Sequence, residues 1–553
     1  MPEQQSRITR FCQGLLAWVS SGRDTNVTLA IFLSCLIGVG AGYGAVLFNW
    51  LIRTISYWSI ELAYDNSSSQ WGFWLLLAVT PAIGLLVVSW ITRRFAPEAQ
   101  GHGVPEVITA VARHDGVIRP RVSVVKIIAS GICIGTGGSV GREGPIVQIG
   151  SALGSLAGQL FHLSAGHLKI LVAAGAAAGI SATFNAPLAG VMFASEIILG
   201  SFAVESLTPI VIASVIAHVV HTQATAGGWL PTFGKLQYQF LGDWGELPAY
   251  IALGLLCGLV AVGFTKLLYA LEDQTERRLP VWWQRALCLG LLVGVFSVAY
   301  ELVLPKIAPS ADRQANAPAL YGVGYDVVHR TLYMENELKP VDDLKPGAGE
   351  NAVIMDAGFM RAELFWLLPL ILLKPLLTSL TLAGGGSGGI FAPSLFLGAT
   401  LGASFGLICN LFIPEFSANP GVYAIVGMGA VVAGTTHGLL SAILIVYELP
   451  GDYRIILPIM VAAGLSSWLA RFIDPESIYE KKLSRRGELV ARGLDMHHME
   501  HIRVRDVMIR TFPSVSHTDN VSQIIRIAHE NPHIESLPVK GADGKLIGII
   551  RSE

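Results

Sequence analysis

Charge is scarce in this chain. Only 14% of its 553 residues are charged, 52% are hydrophobic, and the mean hydropathy is +0.55. Soluble domains carry about 25% charged residues, so the deficit excludes an ordinary soluble protein and points to a polytopic membrane protein. The net charge of −2 gives no electrostatic reason to expect a nucleic-acid partner. Paired cysteines are also missing. Cys12, Cys35, Cys133, Cys257, Cys288 and Cys409 lie mostly inside apolar runs and form no CxxC pair, so they read as small hydrophobes rather than metal or disulfide ligands. There is no HExxH and no Walker-type glycine-lysine loop, which removes the commonest metalloprotease and nucleotide-hydrolase signals. No enzyme activity and no cofactor are expected. The opening MPEQQSRITRFCQG stays polar too long for a cleavable signal peptide.

Long apolar runs fill the space that charge vacates. The clearest cover 28–52, 71–92, 167–199, 249–270, 284–304, 364–383 and 421–449, most of them near or above the roughly 20 residues that span a bilayer. Arg7 and Arg10 precede the first run, while KKLSRR (481–486) and Arg492 follow the last. The positive-inside rule then places both termini in the cytoplasm, with an even number of crossings, in the plasma (inner) membrane of a prokaryote. The expected organisation is a cytoplasmic N-terminus (1–24), two membrane repeats (25–240 and 241–480), a linker (481–500) and a soluble tail (501–553).

The repeat is visible in the residues. GTGGSVGREGPIVQIGSALG (135–154) and AGGGSGGIFAPSLFLGATLG (383–402) match without a gap at eight of twenty positions. Upstream, APEAQGHGVPEVI (96–108) resembles APALYGVGYDVV (317–328), each with Ala-Pro and GxG at one spacing. Downstream, the runs at 185–197 and 437–449 both end near a glutamate, Glu196 and Glu448. Three matches in one order indicate a tandem duplication. Duplicated halves with short, glycine- and proline-interrupted segments point to a transport site between them. An odd number of crossings per half would invert the repeats.

The glycine and proline clusters at 101–105, 135–145 and 384–393 break helices at membrane depth. Each break exposes a helix N-terminus with up to four unpaired N–H groups and about half a positive charge. Several such ends converging would bind an anion without the full charge that would hold it too tightly to release. Arg142 and Glu143 stand at one of these breaks. A carboxylate there is itself an anion in an anion site, able to block it or to leave and open it. The plainer reading pairs Arg142 with Glu143, or both with lipid headgroups.

GREGP (141–145), GGIFAP (388–393) and GHGVP (101–105) resemble the three anion-site loops of the CLC family of chloride channels and proton-coupled chloride antiporters, in its prokaryotic form. The resemblance spans the chain from about residue 30 to the tail. It implies an all-α polytopic membrane protein, an inverted repeat of tilted, broken helices, assembled as a homodimer in a lipid bilayer with chloride as the transported ligand. It makes Glu143 the gate and places His102, Gly103, Arg142, Gly144, Ile390, Phe391 and Tyr479 at the anion. Lys126, seventeen residues before the gate, would raise the local potential; a helix-end lysine reaching for the interface is the plainer reading. For Tyr479 the plainer reading is an interfacial tyrosine.

Two positions depart from the family pattern. His102 stands where the family most often has a serine, which opens the question of selectivity among chloride, nitrate and fluoride; an imidazole still offers an N–H and titrates near neutral pH. Ile197 stands where antiporters usually carry an internal proton-relay glutamate, directly after Glu196. An apolar side chain carries no proton, so the expectation is a passive chloride channel, with a proton-coupled antiporter as the alternative. An enzyme reading would rest on GGSG (385–388) as a protease serine motif with His437 or His218, but the repeat copy reads GGSV.

The tail, 501–553, reads as a small α/β unit: a strand near DVMIRTFPSVS, a helix over NVSQIIRIAHEN, and strands ESLPVKG and KLIGIIRSE around an Asp543-Gly544 turn. It resembles one CBS motif. Such motifs form adenine-nucleotide sites in pairs, so a nucleotide within one subunit is not expected; either the chain is cut short or the motif pairs across a dimer.

Overall fold

A computed structural model describes residues 25–61, 70–225, 233, 244–303, 318–334, 357–413, 419–488, 512–530 and 536–551. The expected N-terminal segment 1–24 and the expected repeat boundary at 240 lie outside them. The chain divides into two compact units, Met1–Val490 and Ala491–Glu553.

The first unit is helical. Its first half contains α1 (Thr25–Ser56), α2 (Gln70–Phe95), α3 (Val104–Arg113), α4 (Arg121–Gly135), α5 (Glu143–Leu160), α6 (Ala165–Phe184), α7 (Pro187–Phe193, continued as a π-helix to Leu199) and α8 (Val204–Ala224). The second repeats the order with α9 (Leu247–Arg278), α10 (Trp282–Val303), α11 (Tyr325–Leu332), α12 (Ala357–Ala383), α13 (Phe391–Phe412), α14 (Pro420–Thr436), α15 (Leu439–Glu448) and α16 (Ile456–Ile473), and α17 (Ile478–Arg485) follows. Among the described residues, nine helices are long and apolar enough to cross a membrane.

The helices break where glycine and proline cluster: α4 ends at Gly135, α12 at Ala383, and α3, α5 and α13 each begin inside one of the three motifs. Two breaks are less visible in the sequence. The apolar runs 167–199 and 421–449 are each cut into two helices, at Asn185 (φ +53°) and His437 (φ +57°). Both residues are left-handed helix caps at corresponding places, a conformation that non-glycine residues adopt at some cost. The expected linker start at 481 falls inside α17, so Lys481 to Arg485 belong to a helix that closes the first unit.

A local two-fold axis relates the halves. Gly141 and Gly389, equivalent in the repeat, form an antiparallel bridge: Gly141 N–H donates to Gly389 C=O at 2.7 Å and Gly389 N–H returns the bond at 2.6 Å. A reciprocal bond between equivalent residues requires the axis to pass between them. The two glutamates obey the same symmetry. Glu196 accepts from the amides of Leu440 (3.2 Å) and Ser441 (2.8 Å) at the start of α15, and Glu448 accepts from Leu188 (3.1 Å) and Ala189 (2.7 Å) at the start of α7. Each carboxylate caps a helix of the other half, where the orphan N–H groups and the dipole favour negative charge. Helix crossings repeat too: a Cβ on Gly150 would lie 2.1 Å from the Gly175 carbonyl, and one on Gly398 2.3 Å from that of Gly427. Only glycine lets α5 meet α6, and α13 meet α14, this closely.

The tail unit is a three-stranded sheet in the order β1 (Val515–Ser516), β2 (Ser536–Lys540), β3 (Leu546–Arg551), with α18 (Val521–Glu530) between β1 and β2. β1 and β2 run parallel, and β2 and β3 antiparallel, as the Asp543-Gly544 turn predicts. The residues before 512 that were expected to lead into the first strand lie outside the described set.

Candidate functional site: an anion pathway between two halves

The three glycine motifs, far apart in sequence, meet at one place. The GHGVP loop pairs with the GGSGG loop: Gly101 N–H donates to Gly386 C=O (3.0 Å) and Gly388 N–H donates to Gly101 C=O (3.2 Å). The neighbouring Gly389 makes the bridge to Gly141 of GREGP. Gly144 closes the triangle, since a Cβ there would lie 2.2 Å from the His102 carbonyl oxygen and 2.9 Å from Gly389 Cα. Gly103 has φ +85°, a left-handed conformation suited to glycine, and caps α3. The starts of α3, α5 and α13 are thereby brought together, and their first N–H groups have no i−4 carbonyl to bond.

Each expected anion residue has a place in this arrangement. His102 is buried, and neither ring nitrogen has a hydrogen-bond partner among the described residues. Buried polar groups are rarely left so; an imidazole N–H is available to an anion. Its ring centroid is 6.0 Å from that of Tyr479, also buried, which α17 presents from the second half. Tyr479 is therefore not an interfacial tyrosine; a capping box between Ser477 and Glu480 fixes the start of its helix. Ile390 and Phe391 occupy the N-cap and first position of α13. The Phe391 ring packs 5.6 Å from Phe184 and 6.3 Å from Phe193.

Glu143 is the first residue of α5 and is 1% exposed. Its Oε1 accepts a bond from the Tyr325 hydroxyl at 2.5 Å. Its Oε2 lies beside Gly141 and the Ala392 amide at the start of α13. Arg142 does not form an ion pair with it: Nη1 donates to Asn49 Oδ1 at 3.0 Å, and the guanidinium lies 5.3 Å from the centre of the Tyr325 ring. The carboxylate thus sits among helix N-termini.

Lys126 is fully buried, so the helix-end reading fails. Its Nζ donates to the carbonyls of Ala99 (3.0 Å) and Gly101 (2.8 Å), clamping the loop that carries His102. The second half contains the same device, which sequence reading missed. Lys374, also fully buried, donates to Gly322 (2.8 Å) and Leu320 (3.4 Å), clamping the loop before Tyr325. The signal was present: Lys374 lies as far after Lys126 as Gly389 lies after Gly141. Tyr325 itself had no such signal, because its repeat equivalent is Val104. Ile197 is buried on the π-helical turn, its Cδ1 packed toward Gly438, and Glu196 beside it is committed to capping α15.

A polar recess of about 360 Å³ reaches His102 from the α17 side and is lined by Arg93, Gln100, Glu272, Lys482 and Arg486 among others. Arg93 and Lys482 have no carboxylate partner within 4 Å among the described residues, whereas Arg486 pairs with Glu106 at 2.6 Å. In the sequence this basic stretch reads only as a topology signal.

A polar recess, a buried imidazole near a phenol, converging helix N-termini and a carboxylate seated among them define a membrane protein with an anion pathway between two inverted halves. Residues 83–471 match the voltage gated chloride channel family and residues 504–553 match the CBS domain. The chain belongs to the voltage gated chloride channel (CLC) family and carries a CBS segment at its end. Among its relatives, a ClcB-like protein of Ralstonia nicotianae, itself only provisionally assigned as a chloride channel, is 30% identical over 470 residues, covering 81% of this chain and 95% of that one. The H(+)/Cl(-) exchange transporter ClcA of Yersinia pseudotuberculosis is 29% identical, covering 84% and 89%. The crystal structure of a slow cyanobacterial Cl-/H+ antiporter superimposes with a TM-score of 0.69 at 23% identity, covering 83% of this chain and 98% of that one, a likeness of fold.

Proposed function

We propose that this chain transports chloride along the line from the recess, past His102 and Tyr479, to Glu143, and that it does so as a passive channel gated by Glu143. The observation that carries the passive reading is Ile197. A buried isoleucine fills the position where the family resemblance calls for a proton-relay glutamate. The adjacent Glu196 offers no substitute, because its carboxylate bonds the Leu440 and Ser441 amides and the Ser441 hydroxyl (2.7 Å). Helix N-termini supply partial positive charge at the anion, and the charges of Lys126 and Lys374 are spent on backbone carbonyls, which favours passage over retention.

Proton-coupled exchange is the second reading, favoured by the ClcA relative and the antiporter neighbour. Recording chloride and proton movement together from reconstituted vesicles under a chloride gradient decides between them. Chloride flux without proton movement is expected, and uphill proton movement would establish exchange. His102 is the point at which another anion, fluoride or nitrate, would enter the account, and efflux of each from the same vesicles tests this. No enzymatic role is assigned to Ser387, whose hydroxyl bonds the Ala99 carbonyl (2.6 Å) and Ser130 (2.8 Å).

We place both termini in the cytoplasm of a prokaryotic cell, with the recess on that side, from the arginines and lysines flanking the first and last runs. The protein works as a homodimer in the bilayer, as the family resemblance implies. In the tail, Leu546, Ile547 and Ile549 of β3 are more than 60% exposed. That apolar surface supports pairing of the single motif with another copy rather than nucleotide binding by one subunit.

A further inference from the structure

The Glu143 carboxylate is held by a side chain from the opposite half that neither the motifs nor the repeat pattern would select. Tyr325 opens α11, directly after Gly324, whose φ of +80° turns the chain into the helix. The loop before it is fixed by Lys374 through the Gly322 carbonyl (2.8 Å). The Tyr325 ring is confined on two sides: Phe233 meets it edge-on at 5.8 Å, and the Arg142 guanidinium lies 5.3 Å from its centre, itself tied to Asn49. A ring held this firmly presents its hydroxyl to one place, and that place is Glu143 Oε1, at 2.5 Å.

We infer that Tyr325 is the latch of the gate, a positioning residue that keeps the Glu143 carboxylate seated across the pathway. This rests on the reading of Glu143 as the gate. The phenol donates to the carboxylate, and when that buried acceptor is charged the bond is among the stronger hydrogen bonds in a protein. When the carboxylate leaves its seat the bond is broken, so the latch stabilises the blocked state alone. Arg142 makes no ion pair with the carboxylate; its guanidinium is tied to Asn49 and packs against the ring that carries the donor. The device belongs to one half only: Val104, at the equivalent position of the first half, has no hydroxyl to offer.

The test is a double-mutant cycle on chloride efflux from vesicles, comparing the unchanged protein, Tyr325→Phe, Glu143→Gln and the double variant. Tyr325→Phe keeps the ring and its packing and removes only the donor. The expected result is at least a tenfold rise in the ratio of unseated to seated carboxylate, equivalent to about 1.4 kcal/mol. Efflux then rises toward the level of Glu143→Gln, and the double variant matches Glu143→Gln. Tyr325→Phe protein that is folded and no faster overturns the latch, as does an equal gain in the Glu143→Gln background, which would place the tyrosine's effect elsewhere. If Glu143→Gln itself does not raise efflux, the gate reading fails and takes the latch with it. Should Tyr325→Phe not yield monodisperse protein, difluorotyrosine at position 325, a stronger donor of nearly the same shape, is expected to lower efflux; unchanged efflux would overturn the proposal.

Discussion

The two buried lysines make one prediction that separates geometry from charge. Lys126 and Lys374 are symmetric in design, each donating to two carbonyls of a glycine loop, but their carbonyls differ in what else they bond. Ala99 C=O also accepts from Ser387 Oγ (2.6 Å), and Gly101 C=O from Gly388 N–H (3.2 Å), so both keep a partner when Lys126 is lost. Gly322 and Leu320 have no other donor among the described residues. Replacing a buried charge by an apolar residue of similar volume removes its desolvation penalty, so Lys126→Met should cost about 0–2 kcal/mol. Lys374→Met leaves the buried Leu320 carbonyl and the half-buried Gly322 carbonyl without a donor, at about 1–3 kcal/mol each and so about 2–6 kcal/mol together. Loss of the contact to the Phe396 ring, 5.1 Å from Nζ, acts in the same direction. Unfolding in SDS, followed by tryptophan fluorescence, should show Lys374→Met the less stable by about 2 kcal/mol or more. Equal losses, or a greater loss at Lys126, would refute the carbonyl accounting.

Gly144→Ala forces a methyl group to within 2.2 Å of the His102 carbonyl. Overpacking of this kind costs about 1–3 kcal/mol, and because the displaced loop carries His102, chloride efflux should fall steeply even in protein that stays monodisperse. The crossed glutamates predict the opposite pattern. Glu196→Ala and Glu448→Ala each remove a charged helix cap, costing about 1–3 kcal/mol, and the two losses should be similar in an SDS titration. Neither substitution should create proton coupling, since Glu196 is occupied as a cap; a change in proton movement on Glu196→Gln would contradict that role.

Much of the site was readable because it is built from backbone. A helix N-terminus at membrane depth needs glycine and proline around it, and these residues mark 101–105, 135–145 and 384–393 in the sequence as plainly as in space. The duplication was legible for the same reason: Gly141 and Gly389 must both be small to bridge across the axis. The breaks at Asn185 and His437 were not, because a single left-handed residue within a continuous apolar run leaves the run's hydropathy unchanged. The partner of Glu143 was not legible from the repeat, since the equivalent of Tyr325 is Val104, which carries no hydroxyl. The recess draws Arg93, Glu272 and Lys482 from three distant segments, a grouping that depends on how helices pack. The tail's helix and hairpin were legible because a short amphipathic helix and a tight Asp-Gly turn are set locally.

We propose that chloride passes a gate at Glu143 without driving protons. The most direct test is the reversal potential of purified protein in a planar bilayer, under a fixed chloride gradient and then with a pH gradient added. The expected result is a reversal at the chloride equilibrium potential that the pH gradient does not move. A reversal displaced by the pH gradient would contradict it, making this protein an exchanger whose protons find a way around Ile197.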